Sequence, residues 1–230
     1  MQGYLLSVVI PVYQNSDSLD ALYCRIKEVL ERNQIPYEIL FVDDASSDDS
    51  KRILAKLVLL DPNVQAIYLD KNGGQNRAVL RGLAACSGDR AVILDADLQD
   101  PPEVIPQLLA GMDEGSDVVF AARRGLYESK GRLLSSRGFK WLLSKIVNIP
   151  PDAGLFVAIN REIISSLVEM SSHASYVVGM IGISAKKIHS IPVVRQKRQD
   201  GHSGYSFIRR VRLGIRAIYE AICLKFISKG

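Results

Sequence analysis

Short apolar blocks alternate along the chain with longer segments in which apolar and polar positions recur at helical spacing. The block Leu6–Val12 is typical of a strand that is buried on both faces. The segment 16–32 that follows has apolar residues every three or four positions, which predicts an amphipathic helix. This alternation continues to about residue 122, and it predicts βαβ units built around a parallel sheet.

The first 122 residues predict an α/β fold in which strands and helices take turns. The predicted strands are Leu6–Val12, Tyr37–Val42, Val64–Leu69, Ala91–Leu94 and Asp117–Ala122. The predicted helices are 16–32, Lys51–Leu60, Asn76–Cys86 and Pro102–Glu114. Turn formers and helix-capping residues separate these elements, which supports the assigned boundaries.

After residue 122 the strict alternation ends. The predicted helices are Leu133–Val147, Arg161–Met170 and Phe207–Ser228, and the predicted strands are Gly154–Ile159 and Lys187–Val194. Residues 171–183 are ambiguous and partly helical, and residues 195–204 form a polar, basic loop. We therefore expect one domain in residues 1–204, composed of the halves 1–122 and 123–204, and an appended helix in residues 205–230.

The charged residues are divided unevenly between the two halves of the chain. Residues 1–122 hold 10 Lys/Arg and 19 Asp/Glu, a net charge of −9, whereas residues 123–230 hold 19 Lys/Arg and 6 Asp/Glu, a net charge of +13. The first half could hold a cation, and the second could hold phosphates or meet an anionic surface; a solvated basic face is the alternative. We do not expect nucleic-acid binding, because the basic residues are not interleaved with aromatic stacking platforms.

The final predicted helix, Phe207–Ser228, carries an apolar stripe beside the row Arg209, Arg212 and Arg216. A basic amphipathic helix can lie on a membrane surface, and it can equally pack on the domain with its arginines in water. Both alternatives stay open. The first implies a position at the cytoplasmic face of a membrane, beside the lipid surface or a membrane-protein partner.

Other features of the sequence bear on the cellular compartment. No apolar stretch reaches the ~18–20 residues that a membrane-spanning helix needs, and the first residues lack the basic start of a signal peptide. The cysteines Cys24, Cys86 and Cys223 are widely spaced and odd in number, so we expect a reducing, cytoplasmic setting. We expect all three to be small apolar core residues.

Two carboxylates directly follow the fourth predicted strand, in the sequence Asp95-Ala96-Asp97. Ligands of open α/β sheets bind beyond the carboxyl ends of the strands, and an uncompensated buried carboxylate is unfavourable. Mg²⁺ and Mn²⁺ prefer such hard oxygen ligands and often share them with substrate phosphates. A polar turn with acidic helix caps is the alternative interpretation.

Two further strand ends carry polar or aromatic groups. At Pro11–Tyr13 the backbone and the tyrosine ring can flank a flat base, and at Asp43–Asp44 a carboxylate can accept hydrogen bonds from a base or a ribose. With Asp95–Asp97 these strand ends predict a site for a nucleotide diphosphate at one edge of the sheet.

The segments VVIPVYQN, FVDDASSDDS, NGGQNRAVLRGL and DADLQDPPE, in this order, resemble family-2 glycosyltransferases of the GT-A fold. The resemblance covers most of residues 4–210. The last motif, with its proline pair, looks most like the branch that loads sugars onto polyprenyl phosphates, which includes dolichol-phosphate mannose synthase and undecaprenyl-phosphate glucosyltransferases. The resemblance implies a Rossmann-like, mostly parallel sheet between helices, with nucleotide bound by residues 1–122 and the sugar and acceptor by residues 123–204.

The resemblance also implies roles for residues on the donor side. Pro11, Tyr13 and Asp43 would contact the base and the ribose of a nucleotide-diphosphate sugar. Asp44 would support that contact, and Asp95 would lie near the ribose and the diphosphate.

For the metal and the acceptor, the resemblance implies a second group of residues. Asp97 would ligate a divalent ion, Mg²⁺ or Mn²⁺, and Asp95 and Gln99 would join this metal site. Arg123 and Arg132 would hold the phosphate of the acceptor.

The remaining implied residues lie in two segments of the second half. Asp152 begins an Asp-x-Gly-x-Phe segment that would line the sugar pocket. Arg198, Ser203 and Tyr205 belong to a loop that would close on the diphosphate.

The distribution of carboxylates in the second half bears on the acceptor. A hydroxyl acceptor needs a general base, yet nothing acidic lies between Glu169 and Asp200, which leaves Asp152 as the obvious candidate. A phosphate acceptor is already an anion and needs arginines instead. We therefore expect an inverting transfer to a polyprenyl phosphate. Transfer to a saccharide hydroxyl and a non-catalytic nucleotide-sugar-binding module are the alternatives, and the sugar, the nucleotide and the formation of a homo-oligomer stay open.

Overall fold

A computed structural model of the chain describes residues 3–124, 148–151, 153–172 and 175–194. Its strands are β1 (Leu6–Val12), β2 (Tyr37–Asp43), β3 (Val64–Tyr68), β4 (Arg90–Ile93), β5 (Val118–Arg124), β6 (Val157–Asn160) and β7 (Ile188–Val194). Its α-helices are α1 (Ser16–Arg32), α2 (Ser50–Leu60), α3 (Gln75–Ala85), α4 (Ile105–Asp113), α5 (Arg161–Met170) and α6 (Val177–Ser184), and the 3₁₀ helix Pro102–Val104 precedes α4.

The described strands form one seven-stranded sheet in the order β3-β2-β1-β4-β6-β5-β7. The strand β1 pairs in parallel with β2 and with β4, and β5 pairs in parallel with β7. Only β6 runs the other way, because it is antiparallel to both β4 and β5. The predicted mostly parallel sheet is therefore confirmed, and strands from both halves of the sequence share it.

Helices cover both faces of this sheet and enclose two apolar cores. All seven residues of β1 and all seven of β2 are buried, which explains why most positions of both strands are apolar. The core on one face joins α1, α2 and α4 to side chains such as Val8 and Ile10. The core on the opposite face joins α3, α5 and α6 to Val9 and Ile93. Burying each of these side chains stabilises the fold by roughly 1.5–3 kcal/mol relative to exposure.

Most predicted boundaries agree with the structure to within two residues. The start of β6 is the exception, because the predicted strand begins at Gly154 and the observed one at Val157. The physical reason is the partner strand: β4 ends at Ile93, which pairs with Val157, so earlier residues have no ladder to join. The ambiguous segment 171–183 contains the start of α6. The predicted helices Leu133–Val147 and Phe207–Ser228 lie outside the described residues.

The cysteines only partly follow the prediction. Cys86 is buried as expected, but Cys24 is exposed, so the prediction that it is a core residue was wrong. Successive residues of a helix are rotated by about 100°, and the buried side of α1 is formed by residues such as Leu22 and Ile26. Cys24 lies between these two in sequence and therefore points to the opposite side. Cys223 lies outside the described residues.

The helix α6 is the most apolar of the described helices. Its eight residues extend over about 12 Å, well short of the ~30 Å hydrocarbon layer of a bilayer. Within the described ranges, none of the helices is both long enough and apolar enough to cross a membrane.

Candidate functional site

The carboxyl ends of three neighbouring strands carry the predicted site residues. Because β2, β1 and β4 are adjacent and parallel, their ends lie at the same edge of the sheet. Asp43 ends β2 directly beside Val12, the last residue of β1. Asp95 follows β4 by two residues. The structure thus brings together the three strand ends that the sequence singled out.

Asp43 and the strand residue beside it lie below the surface of this edge. Asp43 is fully buried, and its carboxylate accepts a hydrogen bond from the N–H of Ser46, at 3.3 and 3.2 Å to its two oxygens. A positive φ of 59° at Ala45 turns the chain back so that this bond can form. Pro11 is also buried, within β1. Contact of either residue with a base or a ribose stays a prediction.

Asp44 is occupied by the loop that precedes α3. Its carboxylate oxygens accept hydrogen bonds from the N–H groups of Gly73 and Gly74, each at 2.7 Å, and the side chain is only 2% exposed. Hydrogen bonds to an ionised acceptor are among the stronger ones in proteins. Asn72 adds a bond from its side-chain amide to the backbone oxygen of Asp44, at 3.3 Å. Asp44 therefore anchors the glycine loop, and its support of a contact with the base and the ribose stays a prediction.

Gly74 is required by the geometry of this loop, whereas a larger residue at position 73 would displace only the exposed side chain of Arg77. Gly74 has a φ of 87° and a ψ of 159°, a combination that residues with a Cβ rarely adopt. At Gly73 an added Cβ would collide with the side chain of Arg77, which lies across it. Gly74 therefore does more than form a flexible turn.

Gln75 begins α3 and reaches the end of the fourth strand. Its side-chain amide donates a hydrogen bond to the carboxylate of Asp95. Asp95 is partly exposed, and Gln75 is exposed. Gln75 was not among the predicted site residues, although it directly follows Gly73-Gly74 in the segment NGGQNRAVLRGL and begins a helix at this edge.

The loop after β4 leaves the carboxylates of Asp95 and Asp97 partly exposed, whereas Asp100 at its end is buried. Ala96 is buried, and its carbonyl oxygen accepts a hydrogen bond from the hydroxyl of Ser18, at 2.6 Å. Asp97 and Gln99 are partly exposed, and the N–H of Gln99 donates to Asp97 Oδ1 at 3.1 Å. Leu98 between them has a φ of 59°, which folds the loop into a tight turn.

This loop offers hard oxygen donors of the kind that Mg²⁺ and Mn²⁺ take. Within the described ranges, no three His, Cys, Asp or Glu side chains gather closely enough to hold a metal by themselves. Asp95, Asp97 and Gln99 provide two carboxylates and one amide oxygen instead. Mg²⁺ usually keeps several waters and adds substrate phosphates to one or two carboxylates, so this set fits such an ion.

The loops after β1 and β2 are joined by side chains that accept from backbone amides. Gln14 N–H donates to the hydroxyl oxygen of Ser46 at 3.0 Å, and Ser16 N–H donates to Asp48 Oδ2 at 3.0 Å. Ser50 N–H adds a bond to Asp48 Oδ1 at 3.1 Å. Burial acts to raise the pKa of the Asp48 carboxyl, but the hydrogen bonds from Ser50 and Ser16 outweigh it and lower this pKa. Tyr13, between these loops, is 48% exposed and open to a ligand.

An ion pair holds the segment after the Asp97 loop. Arg25 of α1 donates to both oxygens of Glu103, from Nε at 2.9 Å and from Nη2 at 2.8 Å. Glu103 lies in the 3₁₀ helix that follows the loop. Such two-point pairs fix geometry as well as distance, so α1 holds the loop at both ends, through Ser18 and through Arg25.

A cavity of about 330 Å³ adjoins the buried carboxylates. It is lined by Tyr68, Leu69, Asp70, Lys71, Arg77 and Arg81. The N–H of Leu69 donates to the backbone oxygen of Asp43 at 2.9 Å, so the cavity lies beside the end of β2. Its three cationic side chains outnumber the single carboxylate, which makes this part of the edge attractive to anions.

The start of α6 abuts the same edge. The N–H of Val177 donates to the side-chain oxygen of Asn76, in the first turn of α3, at 3.3 Å. The ring of Tyr176 packs on Gly179, where an added Cβ would collide with it. Burial raises the pKa of the Tyr176 hydroxyl to about 12, so the tyrosine stays neutral at physiological pH. The sequence analysis assigned no role to this segment.

The sequence model described as Glycosyl transferase family 2 matches residues 7–165, which include all three strand ends. The chain belongs to this family. Its relatives include the undecaprenyl-phosphate 4-deoxy-4-formamido-L-arabinose transferase of Klebsiella pneumoniae, 36% identical over 211 residues. The transferase of the same name from Salmonella choleraesuis is also 36% identical over 211 residues. Each match covers 90% of this family-2 chain but 64% of the relative, so the chain spans less than two thirds of their length.

Solved structures confirm the GT-A fold of this family-2 chain. Mannosyl-3-phosphoglycerate synthase from Rubrobacter xylanophilus has a TM-score of 0.69 at 18% identity, over 99% of this chain and 75% of that one. Glucosyl-3-phosphoglycerate synthase from Mycobacterium tuberculosis, solved with Mn²⁺ and UDP-glucose, has a TM-score of 0.67 at 20% identity, over 96% and 79%. At such identities the likeness establishes the fold alone.

The residues predicted in the second half of the family-2 site, for the acceptor, the sugar and the diphosphate loop, are mostly outside the described residues. Arg132, Asp152, Arg198, Ser203 and Tyr205 all lie there. Arg123 is on β5, one position before the end of the described segment, and its side chain is not described. The roles of these residues stay predictions.

Proposed function

We propose that the chain transfers a sugar from a nucleotide-diphosphate sugar to a polyprenyl phosphate, with inversion at the anomeric carbon. The observation that carries the proposal is the common edge at which Asp43, Asp95 and Asp97 meet. Membership of glycosyl transferase family 2 supports the transfer of a sugar. The relatives named as undecaprenyl-phosphate transferases support a polyprenyl phosphate as the acceptor.

On the donor side, the proposal assigns the base and the ribose to the ends of β1 and β2. The half-exposed ring of Tyr13 can stack on a base. The carboxylate of Asp43 would accept hydrogen bonds from the hydroxyls of the ribose or from the edge of the base. The diphosphate then extends toward Asp95, past the start of α3, whose N-terminal end favours negative charge.

Mg²⁺ or Mn²⁺ is the cofactor in this proposal, and Asp95, Asp97 and Gln99 are the residues that would hold it. When bound, the ion supplies positive charge for the leaving diphosphate. The Mn²⁺ in the solved relatives supports a divalent ion in general.

On the acceptor side, the chemistry needs cations and no general base. An oxygen of the acceptor phosphate bonds to the anomeric carbon while the bond to the nucleoside diphosphate breaks, and the electron pair leaves with the diphosphate. A phosphate monoester with a second pKa of about 6 is already deprotonated at neutral pH, so no proton has to move. Arg123 and Arg132 are the residues proposed to hold that phosphate.

The lipid tail of such an acceptor requires a membrane surface next to the site. We therefore propose that the domain in residues 1–204 works at the cytoplasmic face of a membrane. The basic helix expected in residues 205–230 is the segment suited to that contact.

The test is a transfer assay with the purified chain, undecaprenyl phosphate in detergent, Mn²⁺, and UDP-, GDP- and dTDP-sugars in parallel. We expect one donor to give a lipid-linked sugar, detected by mass spectrometry. Asp97→Ala should lower the rate of transfer at least about 100-fold, because the Asp97 carboxylate is proposed to hold the ion that stabilises the negative charge of the leaving diphosphate. The exposed carboxylate of Glu114 lies at the end of α4, so Glu114→Gln serves as the matched control and should keep full activity.

Transfer to free saccharide hydroxyls without transfer to undecaprenyl phosphate would overturn the proposed acceptor. Donor binding without any transfer would instead support a non-catalytic sugar-nucleotide module. An unchanged rate in Asp97→Ala would remove the proposed metal site.

A further inference from the structure

A continuous series of hydrogen bonds joins the ends of β2, β3 and β4. It starts at the buried carboxylate of Asp44, which holds the N–H groups of Gly73 and Gly74 at 2.7 Å each. The next residue is Gln75, whose side-chain amide donates to the carboxylate of Asp95. The series thus runs from a buried side chain to one that is partly exposed at the candidate metal site.

The glycine loop holds the middle of this series, from Gly73 to the start of α3, in a fixed conformation. Two bonds to one carboxylate fix the orientation of the loop as well as its distance, and the extended positive-φ conformation of Gly74 sets the direction in which α3 starts. The first turn of α3 is also tied to α6 through Asn76 and Val177. Gln75 therefore presents its amide from a backbone that is held on both sides.

A glutamine suits this position for an electrostatic reason. A carboxylate can accept about four hydrogen bonds, so one N–H from Gln75 constrains the rotation of Asp95 while it occupies only one of these positions. A lysine or arginine would place a competing positive charge there, and a glutamate would repel the carboxylate. A neutral donor orients Asp95 without changing the charge of the site.

We propose that Gln75 is a positioning residue that orients Asp95 for the divalent ion and the diphosphate, and that Asp44 acts through Gln75. The inference rests on the proposed function. It gives the two adjacent carboxylates different roles. Asp43 would contact the donor, and Asp44 would hold the glycine loop from which Gln75 orients Asp95.

A merely structural role predicts a different result from a positioning role. The side chain of Gln75 is exposed, so removing it takes little apolar contact from the core. We expect Gln75→Ala to keep the melting temperature of the wild type. Loss of its bond to Asp95 should nevertheless weaken metal binding, because partners that orient metal ligands contribute about 10- to 100-fold in affinity.

The experiment measures the dissociation constant of Mn²⁺ by electron paramagnetic resonance, for Mn²⁺ alone and then with UDP or GDP. Gln75→Ala should raise this constant about 10-fold or more. Gln107→Ala, an exposed glutamine on α4, is the matched control and should leave it unchanged. Asp44→Asn should weaken Mn²⁺ binding as well. The variant that carries both Asp44→Asn and Gln75→Ala should bind Mn²⁺ with the same affinity as the weaker-binding single variant, because both changes break the same series.

Equal Mn²⁺ affinity in Gln75→Ala and the wild type would overturn the inference, and so would fully additive effects of the two substitutions. A wild-type protein that binds Mn²⁺ neither alone nor with either nucleotide would instead contradict the proposed function. A wild type that binds Mn²⁺ and an indistinguishable Gln75→Ala variant would leave the proposed function standing and remove only the role of Gln75.

Discussion

Adjacent carboxylates of this protein have different hydrogen-bond partners, although their chemistry is the same. Asp43 and Asp44 are both buried, but Asp43 accepts from an amide of its own loop, whereas Asp44 accepts from two backbone amides of the loop before α3. Asp95 and Asp97 remain partly exposed, while Ala96 between them is buried. The same residue type therefore serves different purposes at neighbouring strand ends.

Gly74 offers a test at this scale. Its backbone conformation is one that only glycine adopts readily, so Gly74→Ala should lower the free energy of unfolding by about 1–3 kcal/mol. Open space surrounds the position, so the loss comes from backbone strain and not from a collision. Urea denaturation of the two proteins measures it.

Gly115 gives the matched comparison, because it too has a positive φ, of 92°, with open space around it. Gly115→Ala should lose stability without any change in Mn²⁺ affinity, whereas Gly74→Ala should lose both. Equal Mn²⁺ affinity in the two variants would argue that the loop before α3 does not steer the metal site.

At the scale of elements, the site is assembled by loops that are hydrogen-bonded to one another and to neighbouring helices. The loop after β1 is bonded to the loop after β2 through Ser46 and Asp48. The helix α1 is bonded to the loop after β4 through Ser18, and α3 is bonded to the same loop through Gln75. Motion of one loop therefore changes the position of the others.

The carboxyl of Asp48 makes part of this assembly dependent on pH. Its pKa is lowered in the folded protein, so its stabilising contribution is present above the unfolded pKa of about 4 and is lost as the pH falls through the lower, folded value. Asp48→Asn should therefore be less stable than the wild type at pH 7, and the gap should narrow below about pH 4. Urea denaturation at pH 7, 5 and 3.5 tests this, and a gap of constant size would contradict it.

At the scale of the whole molecule, binding at the sheet edge should stabilise the entire domain. Mn²⁺ with the correct nucleoside diphosphate at about 100 times its dissociation constant adds about 2.7 kcal/mol to the folded state. For a chain of this size that corresponds to a rise of roughly 5–10 °C in melting temperature. This rise in melting temperature should disappear with EDTA and be much smaller in Asp97→Ala. The same rise without metal would contradict the proposed metal-dependent donor site.

The sequence predicted the architecture well because the parallel strands are buried on both faces. The apolar run Val8–Val12 reflects burial on both faces of the sheet, and the positions of the strand ends then follow from topology. The reversed direction of β6 could not be predicted, since it depends on pairing with two strands distant in sequence. The same limit explains why Gln75 was not predicted as a site residue. Its hydrogen bond to Asp95 joins residues 20 positions apart and depends on how two loops approach each other.

The reversed strand β6 also has a consequence for synthesis. Until residue 160 has left the ribosome, β4 and β5 each lack the neighbour that separates them in the finished sheet. A nascent chain of about 124 residues would therefore display one unpaired edge on β4 and unpaired edges on both sides of β5, which are templates for intermolecular association. Synthesis of the four residues Val157–Asn160 allows β4 and β5 to join one sheet, and the later strand β7 then covers the other edge of β5.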